Sequence, residues 1–481
     1  MMPSVRNLGV ASSFVLVSAL LAAPPTQAQS AYIYVQSTAS NGPVYGYSAS
    51  SSGQLTAISG SPFKPGTAII GSNKSQFFTL GKTTLHAYAV GSNGAIGAQV
   101  SQIPLFNYAG GFCGYGTSGL NGGVLDHSGQ YVYVLLWNGG DGTCTAYQTY
   151  KANSGGTLTF VGDTEVSVGS GAGTTSPSIL GTDTFAYADE FSGHNNSTIG
   201  FMRESSGTLQ TLSNLGQNFP TLDGGAGQYT ARHPDASPTG NYVVLQLYPN
   251  DSNPPQLGSY TVDSNGNLST TNTSSNMPTS ALSGPFSTFS KDGKMFALYA
   301  NAGDGVGGAG NGIEIYNFNG ASPLTLFKKI LTGTPIDDAA WDSSNHLYAI
   351  SRSLNKIYVF TVTSTSVTQN SSYSITNPLN MIVVSRTSTS CSAPSGNGVN
   401  VCSPAENASV SSPVQVNAAA TVSGGVYRFE LWSGSTKLAS VDNSGVMNQS
   451  VSLAAGSYHL TFVARNTAGT KVTATRDITV K

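Results

Sequence analysis

The chain reads as an all-β protein: a seven-bladed β-propeller closed by a strand from the C-terminal end of the array, followed by a β-sandwich. Three observations predict this. A degenerate unit of polar turn, aromatic or β-branched run, second such run, then Ser/Asn-Gly and Leu recurs seven times between Ala31 and Thr387. The second strand of each unit can be anchored on Ile33, Phe78, Val132, Phe185, Val243, Phe296 and Tyr348, roughly 45 to 58 residues apart, near the repeat length of propeller blades. Charged residues are only 9% and glycine contributes 57 of 481 residues, and no stretch shows the i, i+3, i+4, i+7 apolar spacing of a surface helix.

Taken in order, residues 1–28 place Arg6 before an apolar run from Val10 to Ala23 and end in Thr26-Gln27-Ala28, the small-x-small pattern of a signal-peptidase site. The run is shorter than the roughly 20 residues of a bilayer span. The expectation is a cleaved export signal, a mature chain from Gln29 with no stable membrane span, and a secreted location, periplasmic or extracellular.

The propeller is expected over 29–387. Its units open on turns such as Asp126-His127-Ser128-Gly129, Ser237-Pro238-Thr239-Gly240, Lys291-Asp292-Gly293 and Asp342-Ser343-Ser344-Asn345, which supply Asx side chains, a proline or a φ-positive glycine where a strand pair reverses. Period-two strands follow, as in Tyr131-Val132-Tyr133-Val134 and Ile357-Tyr358-Val359-Phe360. Fourth strands begin after Gly53-Gln54-Leu55, Gly94-Ala95-Ile96, Gly156-Thr157-Leu158, Gly207-Thr208-Leu209 and Gly266-Asn267-Leu268, and four short strands make a blade. The first unit starts at Tyr32-Ile33-Tyr34-Val35 without an inner strand, and Leu379 to Val384 is left over after the seventh. That leftover strand is predicted to complete blade one, removing exposed sheet edges.

A linker is expected over 388–400 and a second domain over 401–481. Its short strands, among them Val426 to Trp432 and Tyr458 to Val463, suit a sandwich. Leu453, Gly456 and Tyr458 resemble the tyrosine-corner arrangement of bacterial Ig-like domains, with Trp432 as the expected core aromatic. The four cysteines form two sequence-local couples, Cys113 with Cys144 and Cys391 with Cys402. In an exported chain these read as disulfides, each worth on the order of 3 kcal/mol; their spacing does not match a zinc site.

The formal net charge of −2, with no Lys/Arg runs, provides no field to gather nucleic acid. No cofactor or metal is expected. The glycine-rich loops at 138–142 and 301–308 lack the ligand spacing of an EF-hand. Ligands of propellers usually occupy the mouth where inner strands begin and second strands end. That rule collects Trp137, Asp189, Glu190, Arg232, His233, Tyr248, Asp337, Asp338 and Arg352, and assigns His127, Asp292 and Asp342 to turns at the opposite end.

The segment Ala231-Arg232-His233-Pro234-Asp235-Ala236-Ser237-Pro238-Thr239-Gly240-Asn241-Tyr242, together with repeat number and strand closure, resembles the seven-bladed lactonase family across roughly residues 31–387. That family includes bacterial 6-phosphogluconolactonase and fungal muconate lactonising enzymes. The resemblance implies that Arg232 binds an anionic group or an oxyanion, with His233 or a carboxylate handling protons. The chain departs from the family at Gln246-Leu247-Tyr248, where the family's glutamate is absent, and at Leu120 to Gly123, where its histidine is absent. Glu190 or Asp338 is the expected substitute carboxylate, and Trp137, Tyr248, Asp337 and Arg352 the expected ligand contacts. Two readings follow: a monomeric recognition or scaffold protein that binds a small molecule, glycan or protein at the mouth, or a hydrolase opening a lactone or related cyclic ester.

Overall fold

The computed structural model describes residues 29–37, 42–65, 68–73, 75–105, 120–137, 144–167, 173–191, 197–212, 230–248, 255–282, 286–301, 310–385, 391, 393–410, 412 and 414–481. They contain strands and no helix, and divide between a compact unit spanning Ala28–Ser390 and one that includes Cys391–Lys481.

The first unit is seven antiparallel sheets. Blade one contributes β1 (Gln29–Ser37), β2 (Val44–Ser50) and β3 (Leu55–Ala57). Blade two follows as β4 (Ala68–Ser72), β5 (Gln76–Leu80), β6 (Thr84–Val90) and β7 (Ile96–Pro104). Blade three is β8 (Leu120–Leu125), β9 (Tyr131–Trp137), β10 (Cys144–Ala152) and β11 (Leu158–Ser167). In blade four the inner position is split between β12 (Gly173–Thr174) and β13 (Ser178–Ile179), both paired to β14 (Phe185–Phe191), with β15 (Ser197–Arg203) and β16 (Leu209–Thr211) outside. Blade five is β17 (Thr230–Ala236), β18 (Tyr242–Tyr248), β19 (Gln256–Val262) and β20 (Leu268–Ser269). Blade six is β21 (Phe286–Phe289), β22 (Met295–Ala300), β23 (Gly312–Asn317) and β24 (Thr325–Ile330). Blade seven is β25 (Asp338–Trp341), β26 (His346–Ser351), β27 (Lys356–Val362) and β28 (Val367–Ser374).

The leftover strand, β29 (Pro378–Ser385), pairs antiparallel with β1 from Ala31↔Ser385 to Gln36↔Asn380, so blade one reads β29-β1-β2-β3. All seven anchor residues predicted from the repeat fall in second strands. Burial explains the ring. The hydrophobic clusters straddle neighbouring blades: Phe78 with Val132, Tyr133 with Phe201, Tyr187 with Val243, Val244 with Phe296, Ala297 with Trp341, Tyr348 with Ile33, and Tyr34 with Phe77. No blade can bury its faces alone, so closing the ring completes the last of these cores.

A recurrent polar link accompanies them. Tyr34, Tyr133 and Tyr187 each donate their hydroxyl to a glycine carbonyl in the next blade's outer hairpin, Gly94 at 2.6 Å, Gly207 at 2.9 Å and Gly266 at 2.9 Å. A buried phenol needs such a partner, which is why the aromatic of the second strand is so often tyrosine.

The second unit is a two-sheet sandwich. Its strands are β30 (Gly398–Ser403), β31 (Ala408–Val410), β32 (Val414–Thr421), β33 (Arg428–Ser433), β34 (Thr436–Asp442), β35 (Val446–Val451), β36 (Gly456–Arg465) and β37 (Lys471–Val480). The sheets run β30-β32-β35 and β31-β37-β36-β33-β34. Strand β30 begins inside the segment read from sequence as linker, and the disulfide Cys391–Cys402 fastens residue 391 to it. Tyr458 donates its hydroxyl to the Ala454 carbonyl at 2.9 Å. Trp432 is not the core aromatic expected: Phe429, Leu431, Leu460 and Phe462 fill the core. Trp432 lies on the alternate face of β33, partly exposed, with Lys437 Nζ 5.6 Å from its ring. Strand parity decides this, because residues 429 and 431 point inward and 432 therefore cannot.

Candidate functional site

Inner strands line the middle of the ring, with β25 against β29, β29 against β4, β4 against β8, and β13, β17, β21 and β25 in succession. Each inner strand is antiparallel to its neighbour, so its beginning shares one end of the channel with the end of the second strand. This is the mouth end; the hairpins joining inner and second strands form the turn end.

Blade five carries the most unusual backbone at the mouth end. Arg232 stands opposite Gln246, but Asp235 stands opposite Val244, so three steps along β17 answer to two along β18. The extra residue is accommodated at His233, whose φ is +49°, a left-handed conformation uncommon outside glycine that histidine enters more readily than most residues. Blade three has a comparable irregularity in β8, and there the residue with positive φ is Gly122, at +136°. Blade five thus holds an imidazole in strained backbone where blade three uses glycine.

The His233 ring lies edge-on to Phe286 at 5.9 Å between centroids. Burial, helped by the nearby Arg232 charge, lowers its pKa to about 4, so the imidazole is neutral at neutral pH. Arg232 places its guanidinium 5.3 Å from the centre of the Tyr248 ring, a cation–π arrangement. Burial pushes the Tyr248 phenol up to about 12 against the pull of Arg232, and its hydroxyl donates to Gln246 Oε1 at 3.3 Å. The buried amide of Gln246 and the phenol of Tyr248 therefore stand on the strand segment where the lactonase resemblance calls for a carboxylate.

Two residues beyond His233, Asp235 accepts a hydrogen bond from Ser178 Oγ at 3.2 Å on Oδ1, while Oδ2 is buried and accepts none among the described residues. Burial raises its pKa to about 6, against the pull of the Ser287 and Ser178 hydroxyls and the Lys291 charge.

The acids of blade seven are differently placed. Asp338 takes Tyr299 Oη at 3.1 Å and the Ala339 amide at 2.8 Å on Oδ1, and the Met381 amide at 2.7 Å on Oδ2. It bridges β25 to the closing strand β29, and burial still raises its pKa to about 6. Asp337 accepts Asn301 Nδ2 at 2.9 Å and the backbone amide of Arg352 at 2.6 Å; the Arg352 side chain is exposed. The side chains of Trp137 and Glu190 lie outside the described residues, as do Cys113 and the side chain of Cys144, the whole of 1–28 and the loop segments 138–143 and 302–309.

At the turn end, carboxylates organise hairpins. Asp342 is fully buried and accepts from Ser344 N (2.8 Å), His346 N (2.9 Å), His346 Nδ1 (2.8 Å), Tyr348 Oη (2.9 Å) and Ser30 Oγ of blade one (2.9 Å). Burial alone raises its pKa, but the bonds from His346 and Ser30 outweigh burial and leave it lowered. Asp126 similarly takes the Gln130 and Tyr131 amides and Arg203 Nη1. His127 Nε2 donates to the Ile179 carbonyl at 2.8 Å.

Within this arrangement, Arg232 and Tyr248 meet as a pair and His233 stands beside blade six, whereas Asp337, Asp338 and Arg352 belong to a separate group on blade seven. The phenyl ring of Phe286, packed 6.0 Å from Tyr299, connects the two. Sequence reasoning singled out none of Phe286, Tyr299, Ser178 or Lys291. Each lies in a blade other than that of the group it touches, and only the ring register brings it there.

The fold and this site define a seven-bladed β-propeller with a polar channel. No family model and no curated protein matches the chain. Among solved structures it is similar to the periplasmic gluconolactonase of Pseudomonas aeruginosa, with 12% identity over 74% of this chain and 99% of that one and a TM-score of 0.52. A Bacteroides fragilis protein assigned provisionally as a 6-phosphogluconolactonase gives 14% identity over 74% and 98%, with a TM-score of 0.52. A Lactobacillus plantarum protein gives 14% over 74% and 99%, with a TM-score of 0.53. At these identities the likeness is one of fold, to propellers that include lactonases.

Proposed function

We propose that the propeller is a hydrolase that opens a lactone or related cyclic ester at the blade-five wall of the channel. The observation that carries this reading is His233: a neutral imidazole held in strained backbone beside a guanidinium, at a position where the corresponding bulge of blade three uses glycine. Strain of this kind is retained where the surrounding structure fixes it, and it clusters at working sites.

In this mechanism His233 removes a proton from a water as the water adds to the ester carbonyl. Arg232 stabilises the oxyanion or holds an anionic substituent of the substrate. Collapse of the tetrahedral adduct breaks the ring C–O bond, and the imidazolium returns the proton to the departing alkoxide, giving an open hydroxy acid. Phe286, 44% exposed, supplies an apolar wall. Export fits the Cys391–Cys402 disulfide and the periplasmic location of one structural neighbour. The Tyr458–Ala454 bond supports an Ig-like assignment for the sandwich.

A second reading, recognition without turnover, is favoured by Gln246 and Tyr248, which place an amide and a phenol where an acid is sought. Hydrolysis of a panel of aliphatic and sugar lactones by residues 29–481, with Arg232→Ala and His233→Ala, separates them. The hydrolase reading predicts turnover that each substitution lowers by about 10²-fold or more. Binding of a lactone without turnover sinks it in favour of recognition.

A further inference from the structure

The turn end of the channel contains a cavity of about 310 Å³ whose lining includes neither Arg232 nor Tyr248. Its walls are Val124, Leu125, Ile179 and Phe289, with Ser178, Asp235 and Lys291 as polar groups. The volume corresponds to roughly ten waters, room for a compact organic acid.

Two charges of opposite sign face this space and attract each other without forming a contact ion pair among the described residues. Lys291 sits in the β21–β22 turn and forms no ion pair or hydrogen bond among the described residues; its surroundings desolvate the ammonium enough to lower its pKa. Asp235 presents a carboxyl group with one oxygen bonded to Ser178 and the other, Oδ2, unused. Each feels the other's charge, but no contact ion pair joins them among the described residues, so a ligand bearing both signs would add what is missing. His127, by contrast, is already fixed on Ile179 and serves as wall.

We propose that this cavity is a second binding site, separate from the blade-five mouth, for a small carboxylate that also carries a hydroxyl or ammonium donor. Lys291 receives the ligand carboxylate, Asp235 Oδ2 accepts from the donor, and the apolar wall of Val124, Leu125, Ile179 and Phe289 covers the carbon skeleton. The hydroxy-acid and amino-acid forms of such a ligand share this recognition and differ only in the donor.

Isothermal titration of the full mature chain with gluconate and, separately, L-leucine tests this. Saturable binding of either probe is expected, weakened about tenfold or more by Lys291→Met, the size of one charge-assisted hydrogen bond. Lys291→Arg should retain it, and Arg232→Ala should leave it unchanged, which separates this site from the proposed hydrolase centre. Asp235→Asn should weaken leucine more than gluconate, because only the ammonium loses a charge partner. Lys291 makes no hydrogen bond or contact ion pair in its turn among the described residues, so an unchanged melting temperature is expected to accompany the loss. The proposal is overturned if neither probe binds, or if Lys291→Met, still folded, binds as tightly as the parent.

Discussion

Blades five and seven each bury carboxylates along the inner strand and its turn, and treat them in opposite ways. In blade seven, Asp342 collects five hydrogen bonds and Asp338 three, two of them, from Ser30 and Met381, reaching blade one. In blade five, Asp235 has only the Ser178 hydroxyl bonded on Oδ1, with the Ser287 hydroxyl nearby and Oδ2 unbonded among the described residues, and His233 sits in left-handed backbone. Asp342 is fully buried and Asp235 partly so, and the number of donors differs. Asp342, with the most donors, is pulled below the ordinary carboxylate range, while Asp235 rises to about 6 and Asp338, with three donors, does the same; the contrast is therefore between Asp342 and Asp235. Asp342 and Asp338 hold blade seven to blade one, where strand β29 closes the ring, and hydrogen-bonded carboxylates suit that task. Blade five leaves polar groups unsaturated, as the proposed site requires.

That contrast can be broken experimentally, beginning with the largest effect. Asp342→Ala should cost about 3–5 kcal/mol, because it strands the His346 imidazole and the Tyr348 and Ser30 hydroxyls in a dry interior. Urea denaturation followed by tryptophan fluorescence reads it, and a loss below about 1 kcal/mol would show that blade seven does not depend on this node. Asp235→Asn should act in the other direction as pH rises. The folded carboxyl, with a pKa of about 6 against the ordinary 3.8, keeps its proton longer than the unfolded one. Its contribution to stability is present below about pH 4 and lost as pH climbs through 6. Asparagine has no such loss, so the variant should gain on the parent by on the order of 2 kcal/mol between pH 4 and 7.5. Melting temperatures across that range give the slope, and a flat difference would mean that Asp235 is charged and satisfied. The smallest effect is His233→Gly, which should relieve the φ strain and stabilise the fold by about 0.5–1 kcal/mol while abolishing any chemistry of the imidazole. A destabilised variant would mean that His233 is present for packing.

The fold was legible because the signal repeats. Seven copies of the same hairpin grammar average out local ambiguity, and the surplus strand at Leu379 to Val384 could be matched to the blade that lacked one. The structural role of the turn-end acids was also legible, since Asp126 and Asp342 precede backbone amides at fixed offsets in their hairpins. The channel was less so. That His233 occupies a bulge depends on β17 having one residue more than β18 can match, a difference that no pattern in Arg232-His233-Pro234-Asp235 reveals. Asp338 has the residue type of a catalytic acid, and only the register of β25 against β29 shows that Met381 and Ala339 already claim its oxygens. Trp432 stands outside the core for a simpler reason: Phe429 and Leu431 fix the parity of β33 and turn residue 432 to the other face.

The most direct test of blade five as a working site is the pH dependence of kcat/KM for lactone hydrolysis by the mature chain, alongside His233→Ala. With His233 as the base, activity should persist down through pH 5.5 and fall with an apparent pKa near 4, that of the buried imidazole in the free protein, and the variant should lose this limb together with about 10²-fold in rate. Turnover that fades around pH 6.5, or that His233→Ala leaves intact, would contradict the assignment of blade five as the hydrolytic centre.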